Sequence, residues 1–307
     1  MDRDRSLASL TVVTSLVLSV VLSRLSLGVL VYPIPLMLAS YRMEKTLHAV
    51  LVQALALVAV LAWRIIPEVN LLTPEAMGMF LLGLLFILST GLTSLIYTAL
   101  REYSSSMLRK MVLASIPVMI LGSVYIIWLG TASGVVAAEG IRAIFAAVFT
   151  DEILGFDTAM FAEVALLIVK LVAVPFSMIF GAIPVLVTES GANRFNSEWQ
   201  ANFASMMMPP VFFWVFCGLL ATSVVGYVTN SETVMLIGIN LLCGFGLHYM
   251  LNGLSVVHAW IRRKNPAFGS STLIYMLFFL SFIPFLGGVA WVALVVTGLL
   301  ERWVRMR

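Results

Sequence analysis

Apolar runs long enough to cross a bilayer recur along the whole chain, separated by short basic or proline-containing stretches. A spanning helix needs about 20 such residues against a hydrocarbon core of roughly 30 Å. The runs predict spans at 7–22, 47–66, 76–100, 107–129, 162–187, 210–227 and 231–264. A shorter apolar stretch, 27–39, contains Tyr32-Pro-Ile-Pro35. Two prolines remove backbone donors, so this piece is expected to be broken and buried within protein. The last apolar block, 270–300, is divided by Ile283-Pro-Phe-Leu-Gly-Gly288. It reads as one kinked span or as a C-terminal hairpin of two short ones. Between the spans at 107–129 and 162–187, Ile141, Ile144, Phe145, Val148 and Phe149 share one helical face, with Glu139 and Arg142 off it. That pattern predicts a short amphipathic helix in an outer loop at 130–160. The fold class expected is an all-α, polytopic transmembrane helix bundle of about eight to ten membrane segments, one integral membrane domain over residues 1–307.

Composition agrees with the pattern. Hydrophobic residues make up 61% and charged residues 11% of the chain, whereas soluble domains carry about a quarter charged. The net charge of +3 is not read as nucleic-acid affinity. Of the 18 Lys and Arg residues, all but Arg24, Arg64, Arg142 and Lys170 fall on segments that one topology puts on the same side. By the positive-inside rule that side is cytoplasmic, with both termini there and the block at 270–300 as a hairpin. The expected location is a bacterial inner membrane. The N-terminal segment lacks a small-residue cleavage site and is read as a retained first helix. Cys217 and Cys243 lie inside apolar runs and are read as small hydrophobes. There is no P-loop, no H-E-x-x-H, no nucleophile elbow and no Cys/His cluster. Asp151, Glu152 and Asp157 lack the turn glycine and further oxygen ligands of a calcium loop, and read as a solvated acidic loop. The expectation is a protein that is not an enzyme and has no cofactor or metal.

The candidate chemistry lies within the spans. In the run 231–264, Asn240, Gly244, His248 and Asn252 recur every fourth residue and form one slightly spiralled helix face. Such a face either holds neighbouring helices or looks onto a ligand. Lys170 is the single Lys or Arg expected deep in the bilayer, on a segment also carrying Pro175 and Pro184. An intramembrane lysine is a functional candidate by default, and its alternative role is an interhelical tether. Counting 1.5 Å per residue from the segment midpoints sets Lys170 between Asn240 and His248 in depth, opposite Gly244. Lys170, Asn240, Gly244, His248 and Asn252 are therefore the candidate ligand-binding residues for an unknown small molecule. Thr11, Ser15, Ser19 and Ser23 give the first helix a small-residue face, suited to packing within the chain or to docking a partner.

Two stretches carry a resemblance. Asn252-Gly-Leu-Ser-Val-Val-His258, Arg262-Arg-Lys264 and the close Gly298-Leu-Leu-Glu-Arg-Trp303 resemble the YybS-like bacterial membrane proteins, a domain family of unknown function. YPIPLMLASYRMEKTLHAVLVQALAL, beginning at Tyr32, is similar to the same family's second segment, basic turn and third helix. Glu301 stands where that family's close carries an aspartate. The family is distantly similar to the substrate-binding S components of energy-coupling-factor transporters, and to small rod-shape membrane proteins. The resemblance implies an S-component-like binding or transport component. On that reading Thr11, Ser15, Ser19 and Ser23 would dock a membrane coupling subunit. The alternatives are a scaffold or partner of envelope machinery, and a proton-coupled carrier using Lys170 and His248.

Overall fold

The structure is a computed structural model that describes residues 2–25, 28–41, 43, 45–68, 73–103, 106–148, 158–192, 203–269, 272–273, 276–277 and 286–304. All regular structure among them is helical: α1 (Asp2–Leu22), α2 (Gly28–Val31), α3 (Ile34–Ser40), α4 (Thr46–Glu68), α5 (Met77–Ala99), α6 (Met107–Leu129), α7 (Ala132–Val148), α8 (Thr158–Ala192), α9 (Val211–Val228), α10 (Glu232–Lys264) and α11 (Leu286–Val304). Seven of these, α4, α5, α6, α8, α9, α10 and α11, are long and apolar enough to cross a membrane. Two shorter apolar stretches, Leu10–Leu22 and Gly28–Ser40, accompany them. The protein is an all-α polytopic helix bundle.

The ends of these helices follow local chemistry. Ser106 caps α6 by accepting a hydrogen bond from the Arg109 amide at 3.3 Å, and the helix stops at Gly130. The proline-containing second segment breaks as its composition requires. Tyr32 and Pro33 stand between α2 and α3, and Tyr32 is buried with its hydroxyl donating to the Ile87 carbonyl of α5 at 3.1 Å. Gly91 makes that contact possible, because a Cβ there would overlap the Tyr32 hydroxyl. In contrast α8 continues through Pro175 and Pro184 as one helix of 35 residues.

Two groups of helices share α10. On one side α5, α6 and α8 pack together, with α4 and the broken α2–α3 outside α5. On the other, α9 folds straight back along α10: Ser223 lies against Gly238 and Gly226 against Met235, where any side chain would collide. α11 closes on α10 through a reciprocal glycine contact. A Cβ on Gly253 would overlap the Leu294 carbonyl, and one on Gly298 the Tyr249 carbonyl. α8 and α10 run the same way, with Lys170 level with Glu232 and Met178 further along against Gly244. The outer surface stays apolar: Leu47, Leu51, Leu55 and Val58 on α4 and Val211, Trp214, Val224 and Tyr227 on α9 are exposed. In a bilayer this surface faces hydrocarbon.

α7 is tucked among α5, α6 and α8. Its packed face differs from the expected one: Gly134, Ala137, Ala138, Gly140 and Ile141 are buried, while Ile144 and Val148 are exposed. Small residues win because they admit close approach, with Gly140 resting on the Glu75 backbone. Phe149 and the acidic residues at 151, 152 and 157 lie outside the described residues. So does most of 270–285, on which the hairpin reading turns; the described remainder of that block, Leu286–Val304, is a single helix.

Candidate functional site

Side chains on α8 meet polar partners at three levels. At the far end, away from the α5–α6 loop, Lys170 Nζ pairs with Glu232 Oε1 at 3.0 Å, with the glutamate side chain 66% exposed. Lys170 thus lies nearer the N-terminal end of α10 than the residue count implied, and Met178 and Val174 are the groups opposite Gly244. Asn240 is fully buried and bridges the two helices. Its Nδ2 donates to the Lys170 carbonyl at 2.7 Å and to the Leu236 carbonyl at 2.9 Å, and its Oδ1 accepts from the Val174 amide at 3.2 Å. The carboxamide thereby imitates a peptide group across the turn of α8 just before Pro175, whose ring nitrogen donates nothing. Asn252, also on the predicted face, donates from Nδ2 to the Gly298 carbonyl at 2.8 Å and serves α11.

Midway along, a crevice of about 130 Å³ opens between α8 and α10. Met178, Ala182 and Leu186 of α8, Met111 of α6, and His248, Met250 and Leu251 of α10 line it, with Trp291 of α11 at its side. Among the described residues of the lining, His248 is the single titratable one. Its Nδ1 lies 3.3 Å from the Gly244 carbonyl, one turn back. Of the predicted face, His248 therefore looks into the crevice and Gly244 borders it through Met178, whereas Lys170, Asn240 and Asn252 are engaged elsewhere.

At the other end, where Lys45, Arg101, Arg109, Lys110 and Arg262–Lys264 gather, Glu189 near the end of α8 accepts two phenol hydrogen bonds on one oxygen. Tyr41 donates at 2.5 Å and Tyr97 at 2.9 Å. Arg101 stacks on the Tyr41 ring at 4.8 Å and donates to the Ser40 carbonyl at 2.9 Å. Lys110 Nζ donates to the Arg101 carbonyl at 2.9 Å. Burial pushes the Tyr41 hydroxyl well above its ordinary range and the Glu189 carboxylate adds to the shift, against a smaller opposing pull from Arg101. The end of α3, α5 and α8 are thus tied at one carboxylate. Below it, Met37, Tyr97, Met111, Ala114 and Val185 form an apolar cluster between this knot and the crevice. Glu189, Tyr41 and Tyr97 were missed by sequence reasoning, which ended the span at 187, two residues short of Glu189. The available signal was an acidic residue continuing a long apolar run at the same end as two tyrosines.

A further irregularity is the stretch Met206–Pro210, unwound between a helical turn at 203–204 and α9. Pro209 and Pro210 offer no donors, and side chains serve the freed carbonyls: Ser255 Oγ donates to Met206 O at 3.1 Å and Arg302 to Pro210 O at 2.8 Å. Glu301 is buried beside it, lining the same small cleft as Tyr249 and Asn252. On the first helix, Ser19 and Ser23 are buried while Thr11 and Ser15 are partly exposed, and α1 packs on α2, α3 and α4. Among the described residues no group of three or more His, Cys, Asp or Glu stands ready for a metal ion. In comparison with known proteins, the chain matches no family model, no curated protein and no solved structure.

Proposed function

We propose that this protein is a membrane-embedded binding or transport component for a small solute, similar in role to a transporter S component. The solute would sit in the crevice between α8 and α10, and the basic end would face the cytoplasm. The observation that carries the reading is the crevice itself: a concave, largely apolar space at the junction of α6, α8, α10 and α11, with His248 as the titratable residue among its described lining. Preformed apolar concavities with few polar groups, set between bundle helices, are the usual form of small-ligand sites. Irregular backbone at Tyr32–Pro33 and Met206–Pro210 is of the kind tolerated in membranes where protein or a cavity surrounds it. The knot at Glu189 would close the crevice toward the basic end, and the partly exposed Thr11 and Ser15 would remain open to a coupling subunit.

The test compares species retained by wild-type protein and by Leu251→Trp, which fills the crevice. Both are purified in mild detergent, and bound material is measured by mass spectrometry for organic compounds and by elemental analysis for ions. A species near one equivalent on the wild type and absent from the filled variant is the expected result. Identical profiles from two equally folded proteins would overturn the reading.

A further inference from the structure

We infer that the crevice between α8 and α10 takes a small, uncharged, apolar molecule supplied by the bilayer, about the size of benzene. The inference rests on the reading of the crevice as the binding place of a carried solute, and names that solute's class.

The crevice lies at hydrocarbon depth. His248, which lines it, is the midpoint of α10, Glu232–Lys264, a helix long and apolar enough to span. Met178 and Leu186 mark its extent on α8, about 12 Å apart along the axis. A molecule already dissolved in the membrane core meets it there without crossing a layer of water.

The walls exclude polar solutes. Apart from His248 and Trp291, the described lining consists of alanine, leucine, isoleucine and methionine side chains. Trp291 adds a largely apolar indole. His248 is itself turned to backbone: its Nδ1 lies 3.3 Å from the Gly244 carbonyl, and the Met111 carbonyl also faces the ring. A neutral imidazole has one N–H and carbonyls only accept, so backbone takes up that donor. An ion, or a solute with several hydroxyls, would give up its water here and find little to replace it.

Volume sets the size. The crevice holds about 130 Å³, near the roughly 150 Å³ of an apolar cavity that stays dry and takes up benzene or xenon. Met111 of α6, Met178 of α8 and Met250 of α10 give it adaptable walls. Flexible thioethers follow the outline of an apolar guest and make favourable contacts with aromatic rings.

The full chain in lipid nanodiscs is titrated with fluorobenzene and followed by fluorine NMR, with empty nanodiscs subtracted. One saturable bound resonance per protein is expected. Leu251→Trp and Ala182→Phe, which fill the crevice from different helices, should each remove it. Met119→Leu, at a buried methionine outside the crevice, should not. Thermal unfolding identifies the variants that remain folded. 4-Fluorophenol, which adds one hydroxyl, should bind at least tenfold more weakly than fluorobenzene at equal concentration in the bilayer. The assignment is overturned by the absence of a saturable resonance, by 4-fluorophenol binding as tightly, or by a resonance that persists in a folded filling variant. It is overturned too if native mass spectrometry finds a phospholipid on the wild type that Leu251→Trp loses, since the crevice would then hold a lipid tail. If Leu251→Trp instead loses a polar or charged species, the apolar class is wrong and the crevice reading stands. If fluorobenzene fails and no species is lost, both fall.

Discussion

α8 carries a cation a third of the way along and a carboxylate near its C-terminal end, and their surroundings are opposite in kind. Lys170 meets one partner, Glu232, whose side chain is largely exposed. Glu189 accepts from two phenols of separate segments, with Arg101 stacked on the Tyr41 ring and Lys110 donating to the Arg101 carbonyl. The lysine drew attention in the sequence because isolated charge in an apolar run is costly. The structure relieves that cost simply, by bringing Lys170 to the rim where a glutamate meets it. The glutamate fell just outside the span read at 162–187, yet it joins the end of α3, α5 and α8. A charge matters to the architecture according to how many separate elements converge on it, and the charge pattern along one segment does not contain that number.

Glu189→Leu should produce the largest effect. It strands two part-buried hydroxyls and removes the counter-charge of Lys110 and Arg101, a loss of about 3 kcal/mol. Thermal unfolding in detergent should fall by several degrees, while Glu189→Gln, which keeps an acceptor, should lose less than half as much. Asn240→Ala comes next, at about 1 kcal/mol rather than more. The Val174 amide and Lys170 carbonyl it releases are an i to i−4 pair and can bond each other as in any helix. A loss as large as that of Glu189→Leu would mean that α8 cannot heal there.

A smaller effect concerns alkali. Burial and Glu189 hold the Tyr41 hydroxyl above its ordinary range, so the folded state keeps a proton that the unfolded chain gives up near pH 10. Stability contributed by this group is complete below that pH and falls as pH rises above it. Tyr41→Phe should flatten the decline of melting temperature above about pH 10; an unchanged slope would show that Tyr41 is not the titrating group. Lys170→Met should change least, by about 0.5 kcal/mol or less, because an exposed pair contributes little. A drop comparable to that of Asn240→Ala would place Lys170 on a par with the buried bridge and erase the contrast between the two ends.

The predicted polar face on α10 was legible and its division of labour was not. Spacing of four put Asn240, Gly244, His248 and Asn252 on one spiralling stripe. Over 12 residues that stripe turns by about 120° at 100° per residue. Its members therefore diverge: Asn240 and Gly244 meet α8, the latter through Met178, while His248 lines the crevice and Asn252 meets α11. Met111 and Met178, on other helices, gave no sequence signal at all, since a lone methionine in an apolar run is indistinguishable from core.

What the sequence determined by itself is the set of helices. Apolar run length, the broken Tyr32-Pro-Ile-Pro35, and the basic stretches at Arg101–Lys110 and Arg262–Lys264 act within one segment, and a bilayer imposes the same length rule on each. Observed boundaries such as Met107–Leu129 and Glu232–Lys264 follow that rule closely. Only the tertiary structure decided the register of α8 along α10, the glycine contact that seats α11, and the meeting of Tyr41 and Tyr97 at Glu189. Between apolar helices there is no periodic pattern of charge to set a register. Close packing of small residues and a handful of interhelical hydrogen bonds set it instead, and both depend on two segments at once.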